Sequence, residues 1–258
     1  MTAPLLSIEH LGISFGGLKA VSDFCLTLND GDLQGLIGPN GAGKTTCFNL
    51  LTGVYCADTG DMKLAGRRIN RLKPFQITAA GMARTFQNIR LFQELTVLDN
   101  VKVACHLHTA QNLASAVFRT RKSTRDEDAI HLQSRSILDR LGLLHRADDA
   151  ATSLPYGDQR RLEIARALAT QPRVLLLDEP AAGMNPQEKI ELTKLIAFIR
   201  QEFRVAVLLI EHDMKLVMSI CEKITVLDHG ETIACGSADE IQSNPKVIEA
   251  YLGEAVEE

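Results

Sequence analysis

No apolar run in this sequence is long enough to cross a bilayer. The longest uninterrupted aliphatic stretch, Val205–Ile210, falls far short of the roughly 20 residues a spanning helix needs. Positive charge is not in excess either: 28 Lys and Arg stand against 32 Asp and Glu, a net −4, so the overall balance does not point to nucleic acid. The start, Met1-Thr2-Ala3-Pro4-Leu5, has neither a basic flank nor a long apolar segment, and no export signal is expected. There is no C-x-x-C pair. Cys25, Cys47, Cys56, Cys105, Cys221 and Cys235 are scattered, and they read as small buried hydrophobes in a reducing compartment rather than a disulfide or zinc framework. These absences predict a cytosolic protein. At 258 residues with 45% apolar content, the chain suits one large α/β domain or a core with a subdomain.

What is present is a phosphate-binding loop. Gly38, Pro39, Asn40, Gly41, Ala42, Gly43, Lys44 and Thr45 fill the template G-x-x-x-x-G-K-[ST], followed by Thr46. Wrapping an anion with backbone N–H groups requires glycines that accept positive φ and close approach. Lys44 supplies a positive charge for the outer phosphates, and the Thr45 hydroxyl suits Mg²⁺. The apolar Leu33–Ile37 reads as a buried strand feeding the loop and Thr45–Leu51 as the helix leaving it. That helix's N-terminus adds partial positive charge.

Ahead of the loop, residues 5–15 and Phe24–Leu28 alternate apolar and polar and predict half-buried, antiparallel strands, with Asn29-Asp30-Gly31 as a turn. Phe15 either joins the core or stacks on a base. After the loop helix, Asp58-Thr59-Gly60 and Ala65-Gly66 punctuate short strands, and Arg84-Thr85-Phe86-Gln87 reads as a strand end. The Gln87 amide suits Mg²⁺ or water, although spacing alone equally fits a solvated glutamine. Residues 97–150 lose strand signals; Ile130, Ile137, Leu138 and Leu141 repeat on one helical face. Arg119, Arg121, Lys122 and Arg125, followed by Asp126–Asp128, read as a solvated surface. His106 and His108, two apart, do not face one metal on a helix.

Leu154-Pro155-Tyr156-Gly157-Asp158-Gln159 then opens a second helix, a further potential phosphate site around Gly157. Val174–Leu177 is an apolar strand ending in Asp178-Glu179. Adjacent acids in such a context are costly unless they serve a cation. Asp178 suits Mg²⁺, and Glu179 can polarise the water that attacks a γ-phosphate. Pro186 opens a helix with Ile190, Leu195, Ile196 and Ile199 as its core stripe. Val205–Ile210 is another buried strand, leading to Glu211-His212-Asp213. His212 stands at a strand's C-terminal edge, where ligands bind in open α/β sheets, and reads equally as a capping residue. Ile248, Tyr251 and Leu252 are expected to dock a last helix.

Taken in this fixed order, the motifs resemble the ATP-binding cassette ATPases over essentially the whole chain. Thr85-Phe86-Gln87-Asn88, Glu179-Pro180-Ala181-Ala182-Gly183-Met184-Asn185-Pro186, Glu211–Met218 and the ending Ala250-Tyr251-Leu252-Gly253-Glu254 are similar to the paired ATP-binding subunits of bacterial branched-chain amino acid uptake systems. The resemblance implies a single domain: a P-loop NTPase core with an antiparallel β subdomain (1–96 and 151–258) and an inserted helical subdomain (97–150). It implies an ATPase using ATP and Mg²⁺ in which Phe15 stacks on adenine and 38–46 bind phosphates. Thr45, Gln87 and Asp178 would serve Mg²⁺, Glu179 would be the general base, and His212 would sense the γ-phosphate. Tyr156, Gly157 and Asp158 would close on nucleotide held by a second ATPase subunit. The implied partners are transmembrane permease subunits and, indirectly, a periplasmic substrate-binding protein, at the cytoplasmic face of the bacterial inner membrane, with no nucleic acid. The alternatives are a soluble cassette acting on DNA or ribosomes, or an importer for another amino acid, an amide or urea. No sustained heptads of the kind the soluble class carries occur in 97–150.

Two departures stand out. The family's usual Leu-Ser-Gly-Gly-Gln is here Leu154-Pro155-Tyr156-Gly157-Asp158, which replaces a hydroxyl with a ring and sets an anion beside the phosphate site. Asn185 stands where an aspartate is common. An active but slow ATPase is expected.

Overall fold

The computed structural model describes residues 3–108 and 121–252. These divide into two compact units: residues up to Gln87 together with those from Arg173 onward, and Asn88–Pro172.

The first unit is built on two sheets. Strands β1 (Leu6–Phe15), β2 (Leu18–Leu28), β4 (Thr59–Leu64) and β5 (Arg67–Arg68) form an antiparallel sheet in the order β2-β1-β4-β5. The second contains β3 (Leu33–Ile37), β6 (Met82–Arg84), β7 (Val174–Asp178), β8 (Ala206–Ile210), β9 (Lys223–Asp228) and β10 (Glu231–Gly236), ordered β10-β9-β3-β8-β7-β6. All its pairings are parallel except β10 on β9. Strands β3, β7 and β8 are buried at every position, which is why they read as unbroken apolar runs instead of alternating ones. Helix α1 (Lys44–Leu51) lies between the sheets, and Phe48, Leu50 and Leu51 join Phe24, Leu36, Leu176 and Leu208 in one core.

Three expectations from the sequence need correction. In α6 (Pro186–Glu202) the buried stripe is Leu192, Ile196 and Ile199, while Ile190 is exposed; the spacing i, i+4, i+7 holds one face, and residue 190 falls off it. In α9 (Pro245–Leu252) Val247 is buried, whereas Ile248 and Leu252 face solvent. Only Cys47, Cys105 and Cys221 of the six cysteines are buried. Burial pushes the Cys221 thiol up to about 12. Cys25 sits at an irregular stretch of the β1–β2 pairing, where His10 and Asp23 both adopt positive φ and His10 Nδ1 lies 2.5 Å from Asp23 Oδ1.

The second unit contains α3 (Val97–Cys105), α4 (Arg121–Arg140) and α5 (Tyr156–Ala169). It takes in the 97–150 insertion and runs on through the helix opened after Leu154. Thr96 caps α3 by accepting the Asp99 N–H at 3.0 Å. The predicted stripe Ile130, Ile137, Leu138 and Leu141 is buried. Arg119 of the basic run and Gly253-Glu254 of the ending lie outside the described residues.

Candidate nucleotide site

The loop after β3 is shaped by its glycines. Gly38, Gly41 and Gly43 have φ of 152°, 78° and 99°. A Cβ on Gly38 would lie 2.0 Å from the Leu227 carbonyl oxygen, and one on Gly43 2.6 Å from that of Ala20. Neighbouring backbone therefore excludes side chains from this cradle. Buried Lys44 donates from Nζ to the Gly38 and Pro39 carbonyls at 2.6 and 2.7 Å, which aims its charge along the loop. Thr45 is exposed at the start of α1. A cleft of about 310 Å³ is lined by Leu18–Ala20, loop residues Gly41 and Gly43, Lys44–Thr46 and His229. Phe15 does not line it; half-exposed, it sets its ring against Tyr55 edge-on, with centroids 5.2 Å apart.

Three of the predicted site residues meet at the strand ends. Gln87 Nε2 donates to Glu179 Oε2 at 2.8 Å, and His212 Nδ1 lies 3.6 Å from the same oxygen. Glu179 has φ of 45°, a conformation that costs a non-glycine residue energy and collects at functional sites. Its N–H is held by the Ile210 carbonyl at 2.9 Å. Asp178 is buried and ion-paired with Arg84, whose Nη2 is 2.6 Å from Asp178 Oδ2. Cradle, lysine, exposed hydroxyl and terminal carboxylates together suit a nucleoside triphosphate with a hard divalent cation.

The comparisons with known proteins decide the class. The family model described as "ABC transporter" matches residues 21–182. The chain belongs to the ABC transporter family. It is therefore an ATP-binding cassette, the ATPase component of a transport system. A second model, of the branched-chain amino acid ATP-binding cassette transporters, matches residues 231–257 of the cassette. The cassette is 48% identical over 255 residues to the high-affinity branched-chain amino acid transport ATP-binding protein LivG of Salmonella typhimurium, covering 99% of this chain and 100% of that one. It is 47% identical to the corresponding BraF protein of Pseudomonas aeruginosa, with the same coverage. Among solved structures it superposes on the ADP conformation of an ATP-binding cassette of an ABC transporter with a TM-score of 0.84, at 30% identity, covering 98% and 100% of the two chains.

Some residues of the cassette's site escaped the sequence reading. Glu211 is fully buried, and its carboxylate accepts the Ala181 N–H at 2.7 Å and the His212 N–H at 3.3 Å. It thus ties the His212 turn to the loop after Glu179. Burial pushes its carboxyl above the ordinary range, against the pull of backbone N–H groups. An acid closing an apolar strand was the available signal, the same one that marked Asp178. His229, on the cleft wall, is an exposed turn residue with φ of 45° and carried no signal. Asn185, at the departure from aspartate, caps α6: its Oδ1 accepts the Glu188 N–H at 3.0 Å.

Asp213 starts α7 (Met214–Ile220) by accepting the Leu216 N–H at 3.2 Å, and it takes a hydrogen bond from Lys189 Nζ at 2.7 Å. The lysine holds the Asp213 carboxyl below its ordinary 3.8. A carboxyl lowered on folding contributes stability above its unfolded value and loses it as pH falls through the folded one. Asp213→Asn keeps the capping oxygen and loses the pair. Its melting temperature is expected to fall by about 1–3 °C at pH 7, since a solvent-screened pair is worth at most about 1 kcal/mol. The gap should close as pH drops below 4; a gap that persists there would show that the pair is not its source.

In the second unit, α5 opens at Pro155, which offers no side-chain cap. Half-exposed Tyr156 hydrogen-bonds Arg160 at 3.5 Å. The anion of Asp158 is answered locally: Arg161 Nη1 lies 3.6 Å from it and Arg146 Nε 3.9 Å. Two guanidinium groups thus offset the charge that made this position unfavourable for binding phosphate.

Proposed function

We propose that this cassette powers the import of branched-chain amino acids, binding ATP through residues 38–46 and hydrolysing it with Glu179 as general base. The observation that carries the catalytic assignment is the convergence of Gln87 and His212 on Glu179 Oε2. Gln87 orients the carboxylate and the attacking water. His212, donating from its ring, binds the γ-phosphate. Lys44 and the loop N–H groups hold the phosphate oxygens, and Phe15 supplies a face for adenine. Thr45, Gln87 and Asp178 are the residues that would hold Mg²⁺, whose chemistry here is to neutralise charge on the outer phosphates.

Tyr156, Gly157 and Asp158 of one subunit would cover the nucleotide bound to its mate, so ATP favours a closed pair and hydrolysis reopens it. The partners in this reading are a second cassette, membrane permease subunits and a periplasmic binding protein. The cassette sits peripherally at the cytoplasmic face of the inner membrane. No helix among the described residues is long and apolar enough to cross it. The cargo assignment rests on the branched-chain relatives named above.

The test is affinity purification of the Glu179→Gln protein from its own host in mild detergent with ATP. An integral membrane pair in near-equal amount is the expected companion. Ribosomes or DNA in its place would overturn the transport reading in favour of a soluble cassette.

Pro155 gives a second check. A hydroxyl there would add a hydrogen bond to a charged phosphate, worth about 1.5–3 kcal/mol. Pro155→Ser is therefore expected to tighten ATP-dependent pairing at least tenfold by analytical ultracentrifugation. Unchanged or weaker association would mean that this segment does not close on phosphate.

A further inference from the structure

Arg84 carries no role in the reading above, yet its side chain is only 6% exposed. Its guanidinium donates from Nη2 to Asp178 Oδ2 at 2.6 Å and from Nη1 to Asn49 Oδ1 at 2.8 Å and Thr52 Oγ1 at 3.3 Å. Its Cζ lies 5.5 Å from the centroid of the Phe48 ring and 5.2 Å from that of Phe86. One cation thus joins three elements: α1, the end of β7, and the end of β6 three residues before Gln87. Each of the three leads to, or carries, a residue assigned to the metal: Thr45, Asp178 and Gln87.

We propose that Arg84 is a positioning residue and a built-in counter-charge: it grips Asp178 by one oxygen and limits how strongly the acidic end of β7 attracts a divalent cation. The proposal rests on the assignment of Asp178 to Mg²⁺. A planar fork hydrogen-bonded through both Nη atoms to Asp178, Asn49 and Thr52 and set beside two rings fixes the carboxylate's direction. A positive charge within 3 Å also opposes the approach of a second cation, strongly so where water is excluded. Without Arg84, the buried Asp178 charge has lost its partner. A bound Mg²⁺ is then a cation that can answer it.

The experiment titrates Mg²⁺ into protein with a fluorescent ADP analogue, read by anisotropy, alongside melting curves with and without Mg²⁺. Arg84→Gln is expected to melt lower than the parent without metal and to regain more on adding Mg²⁺ and ADP. Its half-saturating Mg²⁺ should fall at least threefold, while Arg84→Lys, which keeps the charge, should stay within about twofold of the parent. An unchanged or raised Mg²⁺ midpoint in Arg84→Gln overturns the proposal. Asp178→Asn separates it from the reading beneath it: a parental Mg²⁺ curve there would sink the Asp178 assignment itself, whatever Arg84 does. If Arg84→Gln alone does not fold, the charge-neutral double variant with Asp178→Asn must fold. Failure of that variant too would show that Arg84 serves packing instead of the carboxylate's charge.

Discussion

Glu179→Gln is expected to bind ATP at parental affinity and to turn it over about 10²–10⁴-fold more slowly, the range that positioned general-base catalysis supplies. The amide keeps the side chain's length and an oxygen able to accept the Gln87 hydrogen bond at the 2.8 Å position. What it cannot do is take a proton from water. ATP-bound closed pairs should therefore accumulate, visible by size-exclusion chromatography with ATP and absent with ADP. The φ of 45° at this position is already borne by a non-glycine residue and is unchanged by the substitution, so a large loss of melting temperature is not expected. Near-parental turnover would mean that another group activates the water.

Lys44→Ala acts on binding. The ammonium is buried and bonded to two loop carbonyls, so its loss removes both a charge for the phosphates and a brace for the loop. A charge-assisted hydrogen bond is worth about 1.5–3 kcal/mol, or roughly 10- to 150-fold in affinity, and more than one phosphate oxygen is within the reach of such a group. Nucleotide dissociation constants measured by calorimetry should rise by at least that factor. Unaltered binding would remove the lysine, and with it the loop, from the phosphate site.

How much of this was legible in the sequence depends on the physical scale of each signal. The loop at 38–46, the strand at 174–178 and the helix at 156–169 are local patterns, and they stand where spacing put them. The paired acids, Gln87 and His212 were each marked by position at a strand end. The convergence of Gln87 and His212 on one oxygen of Glu179 is a fact of sheet order: β7 lies between β8 and β6, and no pattern along the chain states that adjacency. Arg84 went unmarked for the same reason: only the neighbouring β7 makes it a buried partner. Ile190, Ile248 and Leu252 were misread because apolar character was taken for burial, although much of any folded surface is apolar. Asp158 was read without Arg146, twelve positions earlier, which helps to neutralise it.

The shared core of the first unit has a consequence on the scale of protein lifetime. Strand β3 ends in Leu36 and Ile37 and α1 carries Phe48, Leu50 and Leu51, all fully shielded from water, so both stems of the phosphate loop are rooted where opening requires dismantling both sheets. Segments of that kind exchange their amide hydrogens only through global unfolding, whereas termini and edge strands fray alone. A nucleotide gripping this loop thus guards the whole unit, adding RT ln(1 + [L]/Kd) to its unfolding free energy instead of pinning a flap. In a cell well supplied with ATP the cassette would be hard for proteases to enter. Any nucleotide that fills the loop, ADP included, would protect the unit in proportion to its concentration and affinity.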